Sequence, residues 1–283
     1  MPRGCLIREQ PHYRRAAFCD GLKAAGYALR AGDPGTDVTP GDVLVIWNRY
    51  AHWEGMADRF ERAGGTVLVA ENGYLGHGGS VPKFDVWPGN VQPGHYYALA
   101  VGQHNGGGRW PTADGSRWRA LGVEIHDWRD RGHHILVCAQ RGIGPQRLVQ
   151  RSEWTQDVVA RLKGITSRPV RIRPHPGIGE GPVPLAKDLE QCWAVVIWAS
   201  NAGIHALLAG IPVFYEGQHW ILGPAGCRDI RQIDDPPLPD REPAFHRMAC
   251  AQWTVAEIAS GEPFKRLLAL EVESRKSKVE SVA

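Results

Sequence analysis

Ala194-Val-Val-Ile-Trp-Ala-Ser-Asn-Ala-Gly-Ile-His-Ala-Leu-Leu-Ala-Gly-Ile-Pro-Val-Phe-Tyr-Glu216 reads as strand, tight turn, helix, strand. The apolar run Ala194 to Ala199 is short and β-branched, as a strand buried on both faces should be. Ser200 and Asn201 stand where an N-cap belongs, and Ala202 to Leu208 is good helix material. Gly210 stops the helix, Pro212 follows, and Val213-Phe-Tyr215 begins the next strand. A unit of this kind aims the first N–H groups of its helix beyond the strand's carboxyl end, a place suited to an anion such as phosphate. An ordinary βαβ crossover with a good cap would look the same.

The pattern repeats in both directions along the chain. Gly4–Arg8, Tyr27–Leu29, Asp42–Trp47 and Thr66–Ala70 read as strands, with helices over His12–Ala25 and Trp53–Ala63. Alternation of this sort predicts an α/β fold with a doubly wound parallel sheet. Residues 76–118 are rich in Gly and Pro and read as a long loop-rich insertion with one strand, Tyr96–Ala100. A second set follows: strand Ile135–Ala139, the glycine-rich turn Gln140-Arg-Gly-Ile-Gly-Pro145, helix Thr155–Leu162, strand Pro169–Arg173 and helix Leu185–Cys192. Helices over Thr254–Ala259 and Phe264–Val272 precede a polar, frayed tail. The expected domains are therefore 1–131 and 132–283.

Composition narrows the function classes. The chain has 283 residues, 43% hydrophobic and 22% charged, enough for one large or two modest α/β domains. No apolar run approaches the roughly 18 residues of a membrane helix, and the N-terminus lacks a signal peptide's apolar core. Neither membrane insertion nor a secretory route is expected. The six cysteines include no CxxC pair, which points to free thiols in a reducing cytoplasm. A net charge of +3 is too small to announce nucleic acid by itself. No HExxH or DxD stands in a suitable place, so neither metal nor cofactor is expected.

Three pieces line up along the chain: Glu71-Asn-Gly-Tyr-Leu after a strand, Arg173-Pro-His-Pro after another, and Ser200-Asn-Ala-Gly with its helix. Together they resemble the capsular-polysaccharide Kdo transferases and, more remotely, bacterial sialyltransferases. Those families carry an acidic-acidic-Gly motif in the first domain, then a His-Pro motif and a serine motif in the second. The resemblance covers roughly residues 66–76 and 135–217. It implies a GT-B glycosyltransferase: two facing Rossmann-like domains, with a nucleotide sugar as co-substrate held mainly by the second. The Glu-Asn-Gly-Tyr and His-Asn-Gly segments are also similar to those of phage-encoded glycosyltransferases. Enzymes of that kind can glycosylate hydroxymethylated bases of phage DNA.

Sugar transfer needs a base for the acceptor hydroxyl, positive or N–H groups for the leaving phosphate, and both substrates held in place. For the phosphate, the candidates are Ser200, Asn201 and Ala202 at the helix mouth, with Arg141 and Gly142 on the glycine-rich turn. The resemblance adds His175 as a phosphate ligand and Glu216 as a ribose ligand. Arg173 is a further donor candidate, with an ion pair to Glu180 or Asp188 as its alternative. For the base, the resembled pattern uses the second acidic position, which here is Asn72. Glu71 is then the first choice, beside apolar Tyr74 and Leu75; His77, Asp85 and His104 are the alternatives. For the acceptor, Arg109-Trp110 and Arg117-Trp118 interleave cations with stacking surfaces, which suits a phosphate backbone with a flipped base. Sugar stacking or plain core packing with snorkelling arginines would use the same residues. The acceptor expected is thus a hydroxymethylated pyrimidine in phage DNA. A capsule- or lipopolysaccharide-type saccharide, or a non-catalytic sugar- or nucleotide-binding role, stand as alternatives.

Overall fold

A computed structural model of the chain describes residues 3–6, 15–31, 37–50, 52–76, 96–140, 142, 148–175 and 184–280. They form two compact units. The first opens with β1 (Arg3–Leu6), α1 (Arg15–Ala24), β2 (Ala28–Ala31), β3 (Val43–Trp47), α2 (His52–Arg62), β4 (Thr66–Asn72) and β5 (Tyr96–Val101). The second holds α3 (Ser116–Leu121), β6 (His134–Cys138), α4 (Trp154–Lys163), β7 (Val170–Arg173), α5 (Leu185–Leu189), β8 (Cys192–Ile197), α6 (Ala202–Leu208), β9 (Val213–Tyr215) and α7 (Glu242–Ala249). The chain then rejoins the first unit as β10 (Gln252–Thr254), α8 (Val255–Ser260) and α9 (Glu262–Glu280).

The first sheet runs β10-β5-β4-β3-β1-β2. Strands β1 to β4 are parallel, as their alternation with helices predicts. β5 is antiparallel to β4, and β10 antiparallel to β5. The sheet is therefore mixed, where a purely parallel one is expected from the sequence. The reason lies in the connection: Tyr97 pairs with Asn72, so the chain re-enters at the edge it left and needs no crossover. Leu44, Ile46, Val67 and Val69 pack against Trp53, Ala57 and Phe60 of α2 to fill the core on one face. Burying each such side chain contributes about 1.5–3 kcal/mol.

The second sheet, β7-β6-β8-β9, is wholly parallel. Its central strands β6 and β8 are short apolar runs, as strands covered on both faces must be, whereas the edge strand β7 alternates Val-Arg-Ile-Arg and exposes Arg171 and Ile172. Ile135, Val137, Ala194 and Val196 pack beneath Trp154, Val158 and Leu162 of α4. The helix read from the opening stretch spans Ala202–Leu208, as its cap and stop signals predict. Cys138 and Cys192 are buried free thiols, and burial pushes both up to about 12.

Two segments fall outside the domain boundary drawn at residue 131. Residues 114–131 group with the second unit, and 250–280 with the first. The tail read as frayed is helical through Glu280 in α9. No helix among the described residues is long and apolar enough to cross a membrane. Nor do they include a cluster of three or more His, Cys, Asp or Glu that could hold a metal ion.

Candidate functional site

Four loops leave the carboxyl edge of the second sheet side by side. The register sets Cys138 beside both Arg173 and Ile197, and Ile197 beside Tyr215. Residues 139–140, 142, 174–175, 198–202 and 216–217 consequently share one edge. The chain moves from β6 to β7 on one flank, then to β8 on the other, so the order reverses between β6 and β8. Open α/β sheets take ligands in the crevice at such a reversal.

Short hydrogen bonds stitch these loops together. Ala199 N–H donates to Gln140 Oε1 at 2.9 Å, and Gln140 N–H donates to Gln150 Oε1 at 3.0 Å. Gly217 N–H donates to the Trp198 carbonyl at 2.8 Å. Ser200 Oγ accepts the Ala202 N–H at 3.2 Å, so it acts as the helix cap in place of Asn201, whose side chain caps nothing. The Ser200 and Asn201 N–H groups make no hydrogen bond among the described residues. Gly142 adopts φ +69°, a conformation that glycine enters without strain. His175 is half-buried two residues beyond β7.

Glu216 is aimed rather than loose. Its Oε2 accepts from Trp154 Nε1 at 2.8 Å and its Oε1 from Arg161 Nη2 at 2.6 Å, which leaves each oxygen a spare acceptor position. It lines a groove of about 600 Å³ with Arg161, Arg228, Ile230 and Arg231.

Other candidates are engaged elsewhere. Arg173 is buried and ion-paired with Asp188, the alternative the sequence offers for it. Trp110 and Trp118 are 6% exposed, and Trp118 stacks on Phe245 with centroids 4.9 Å apart. Arg109 pairs with Glu271 of α9, and Arg117 Nε donates to the Ala249 carbonyl at 3.3 Å. The Arg–Trp run is thus a set of packed indoles with tethered guanidiniums, and the stacking surface expected there is not displayed.

In the first unit, Glu71 is the penultimate residue of β4 at the carboxyl edge, half-buried near the buried Tyr74 and Leu75 in sequence, and its Oε1 accepts the Asn72 N–H at 3.0 Å. His104 lies at the other end of the same strand. Glu71 pairs with Ala98, whereas Gly102, two residues before His104, donates to the Val67 carbonyl at 2.8 Å. Four residues along a strand span about 13 Å. The antiparallel turn of β5 thus removes His104 from the carboxyl edge, which the sequence does not reveal. His77, Asp85, Arg141 and Glu180 lie outside the described residues.

His104 has its own consequence. Its Nδ1 is buried without a hydrogen-bond partner among the described residues, and burial pushes the imidazole down to about 4. The unfolded chain titrates near the ordinary value of about 6.5 and so binds more protons than the folded one between these limits. Stability is fully present above pH 6.5 and falls as pH drops towards 4, by about 3 kcal/mol at most. Urea unfolding of wild type and His104→Leu across pH 4–7 is expected to show a steeper acid-side loss in wild type, with the part owed to His134, which burial also pushes down, kept by both.

The sequence reading missed Gln140, Gln150, Trp154 and Arg161, which shape the carboxyl edge, and Gln252, described below. A polar residue directly after a buried strand was the available signal for Gln140.

Two Rossmann-like α/β units, one with a parallel sheet whose loops converge at a reversal point, define the class. Solved structures carry this further. The fold matches KpsC from Thermosulfurimonas dismutans, a beta Kdo 2,7 transferase, at a TM-score of 0.53 and 12% identity, over 94% of this chain and 99% of that one. It matches the beta Kdo 2,4 transferase of KpsC from the same organism at 0.53 and 11% identity, over 92% and 98%. The chain has a glycosyltransferase-like fold. No protein-family profile and no curated protein matches the sequence.

Proposed function

We propose that this protein is a glycosyltransferase that moves a sugar from a nucleotide donor to a hydroxyl of a saccharide acceptor. The observation that carries this reading is the convergence of four loops at the β6/β8 reversal, with N–H groups at Ser200 and Asn201 that make no hydrogen bond among the described residues. Such groups suit the phosphate of a leaving nucleotide. The likeness to two Kdo transferases over nearly the whole chain supports the same class.

In this reading the second unit holds the donor. The Ser200, Asn201 and Ala202 mouth and His175 face its phosphate, Gly142 lets backbone approach, and Glu216 takes the ribose hydroxyls through its spare acceptor positions. Glu71 accepts the proton of the acceptor hydroxyl. The acceptor oxygen then bonds to the anomeric carbon as the bond from that carbon to the phosphate oxygen breaks, and the nucleotide departs with the electron pair. No cofactor enters these steps.

A saccharide acceptor is preferred to a DNA base because Trp110 and Trp118, the features that suggested base stacking, are buried. Thermal unfolding with UDP-, GDP- and CMP-sugars tests donor binding. One nucleotide class is expected to raise the midpoint, by the equivalent of about 2.7 kcal/mol at one hundred times its Kd. No shift with any of them rejects the donor site. With the active donor, oligosaccharides are expected to gain sugar mass. Gain by hydroxymethylated DNA instead would restore the nucleic-acid acceptor.

A further inference from the structure

We propose that Gln252, in the last strand of the chain, is a positioning residue for the Glu71 turn. The inference rests on the transferase reading above. Gln252 is fully buried on β10. Its Oε1 accepts two successive backbone N–H groups, from Tyr74 at 2.9 Å and Leu75 at 3.1 Å, and its Nε2 donates to the Leu75 carbonyl at 3.2 Å. One side chain thus holds both sides of a turn that lies 177 residues earlier in sequence.

The turn is also tied to the start of β5. Gly73 N–H donates to the Tyr96 carbonyl at 3.1 Å, and Tyr96 N–H to the Gly76 carbonyl at 3.0 Å. A Cβ at Gly73 would lie 2.8 Å from Tyr96 O, so the segment can cross the start of β5 only as glycine. Beyond this crossing the chain reaches β10. Ala98 pairs with Glu71 on one side and with Gln252 on the other. Residues paired in this way project from one face, here two strand spacings or about 10 Å apart.

The anchor itself is firmly set. Trp253 is buried, Leu99 N–H donates to the Ala251 carbonyl at 3.0 Å, and Thr254 forms a capping box with Glu257 at the start of α8. The amide therefore arrives with its rotamer and depth already determined, and transmits that rigidity to residues 74–75 and back to Glu71. A base held this way keeps its line to an acceptor oxygen, and positional loosening of about 1 Å lowers turnover by about 100-fold.

The test is Gln252→Leu in the full chain, under conditions where near-ultraviolet circular dichroism shows it folded. Gln252→Met, unbranched and of similar length, serves if the leucine variant does not fold. The Tyr74 and Leu75 amides are expected to exchange hydrogen about 100-fold faster than in wild type, while those of Val45 and Ile46 are unchanged. The kcat is expected to fall about 100-fold with the donor KM within about twofold of wild type. Protected Tyr74 and Leu75 amides, or an unchanged kcat with those amides open, overturn the proposal. A wild type inactive with every nucleotide sugar is a different failure: it removes the transferase reading and this role with it.

Discussion

Glu71→Gln is expected to lower sugar transfer by about 10³-fold while leaving donor binding and folding stability nearly unchanged. The acceptor hydroxyl must lose a proton as it attacks, and an amide cannot take it. The substitution is otherwise mild. A glutamine oxygen can still accept the Asn72 N–H that the Glu71 carboxylate accepts at 3.0 Å, so the turn keeps its local hydrogen bond. The donor ligands all belong to the second unit in this reading, so the nucleotide-induced rise in unfolding temperature should persist. Turnover and thermal shift measured on the same preparation check both halves. Retained turnover would assign the base to another residue, with His77 and Asp85 the remaining candidates near the motif. Asn72, at the position where the resembled pattern carries its base, is excluded by the same chemistry as the substituted glutamine.

Gly210→Ala is expected to destabilise the second unit by at least about 3 kcal/mol, lowering its melting temperature by about 10 °C. Gly210 closes α6 at φ +73°. Its N–H donates to the Leu207 carbonyl at 3.1 Å, and the Ile211 N–H to the Ala206 carbonyl at 2.9 Å, the paired bonds of a Schellman ending. The left-handed conformation alone costs an alanine about 1–2 kcal/mol. Space adds more, because a Cβ there would fall 1.9 Å from the Asp127 carbonyl oxygen. The segment carrying Asp127 cannot retreat freely. His126 N–H donates to Leu208 O at 2.9 Å, Arg129 N–H to Gly210 O at 2.9 Å, and the Arg129 guanidinium to Ala209 O at 3.0 Å and Leu189 O at 2.7 Å. Gly26→Ala is the control. Its φ is +92° but nothing lies within 4 Å of the added carbon, so only the conformational cost of about 1–2 kcal/mol is expected. Equal losses in the two variants would show that the close approach to Asp127 carries no energy.

What was legible in the sequence, and what was not, follows from how far each signal reaches. The bounds of α6 are written locally, in Ser200, Gly210 and Pro212, and the helix forms where they say. The central parallel strands β3, β4, β6 and β8 are apolar runs that need both faces covered, and they too are self-announcing. β10 is three residues long and begins with glutamine; it is a strand because β5 offers an edge, which no local pattern records. The direction of β5 is equally non-local, and with it went the placement of His104. Trp110 and Trp118 illustrate a third limit. An indole beside an arginine has the same spelling whether it stacks on a ligand or on Phe245, and burial decides between them. Arg173 was better signalled, since Asp188 already stood among its possible partners.

The return of the chain to its first sheet has a consequence for biosynthesis. A ribosome delivers residues 114–249 before Gln252 exists, so the second unit can close on itself while the first still lacks its outermost strand. The Glu71 turn, made early, waits for nearly the whole polypeptide before its amide tether arrives. A message truncated near residue 249 would yield a finished second unit and a first sheet with a bare edge at β5.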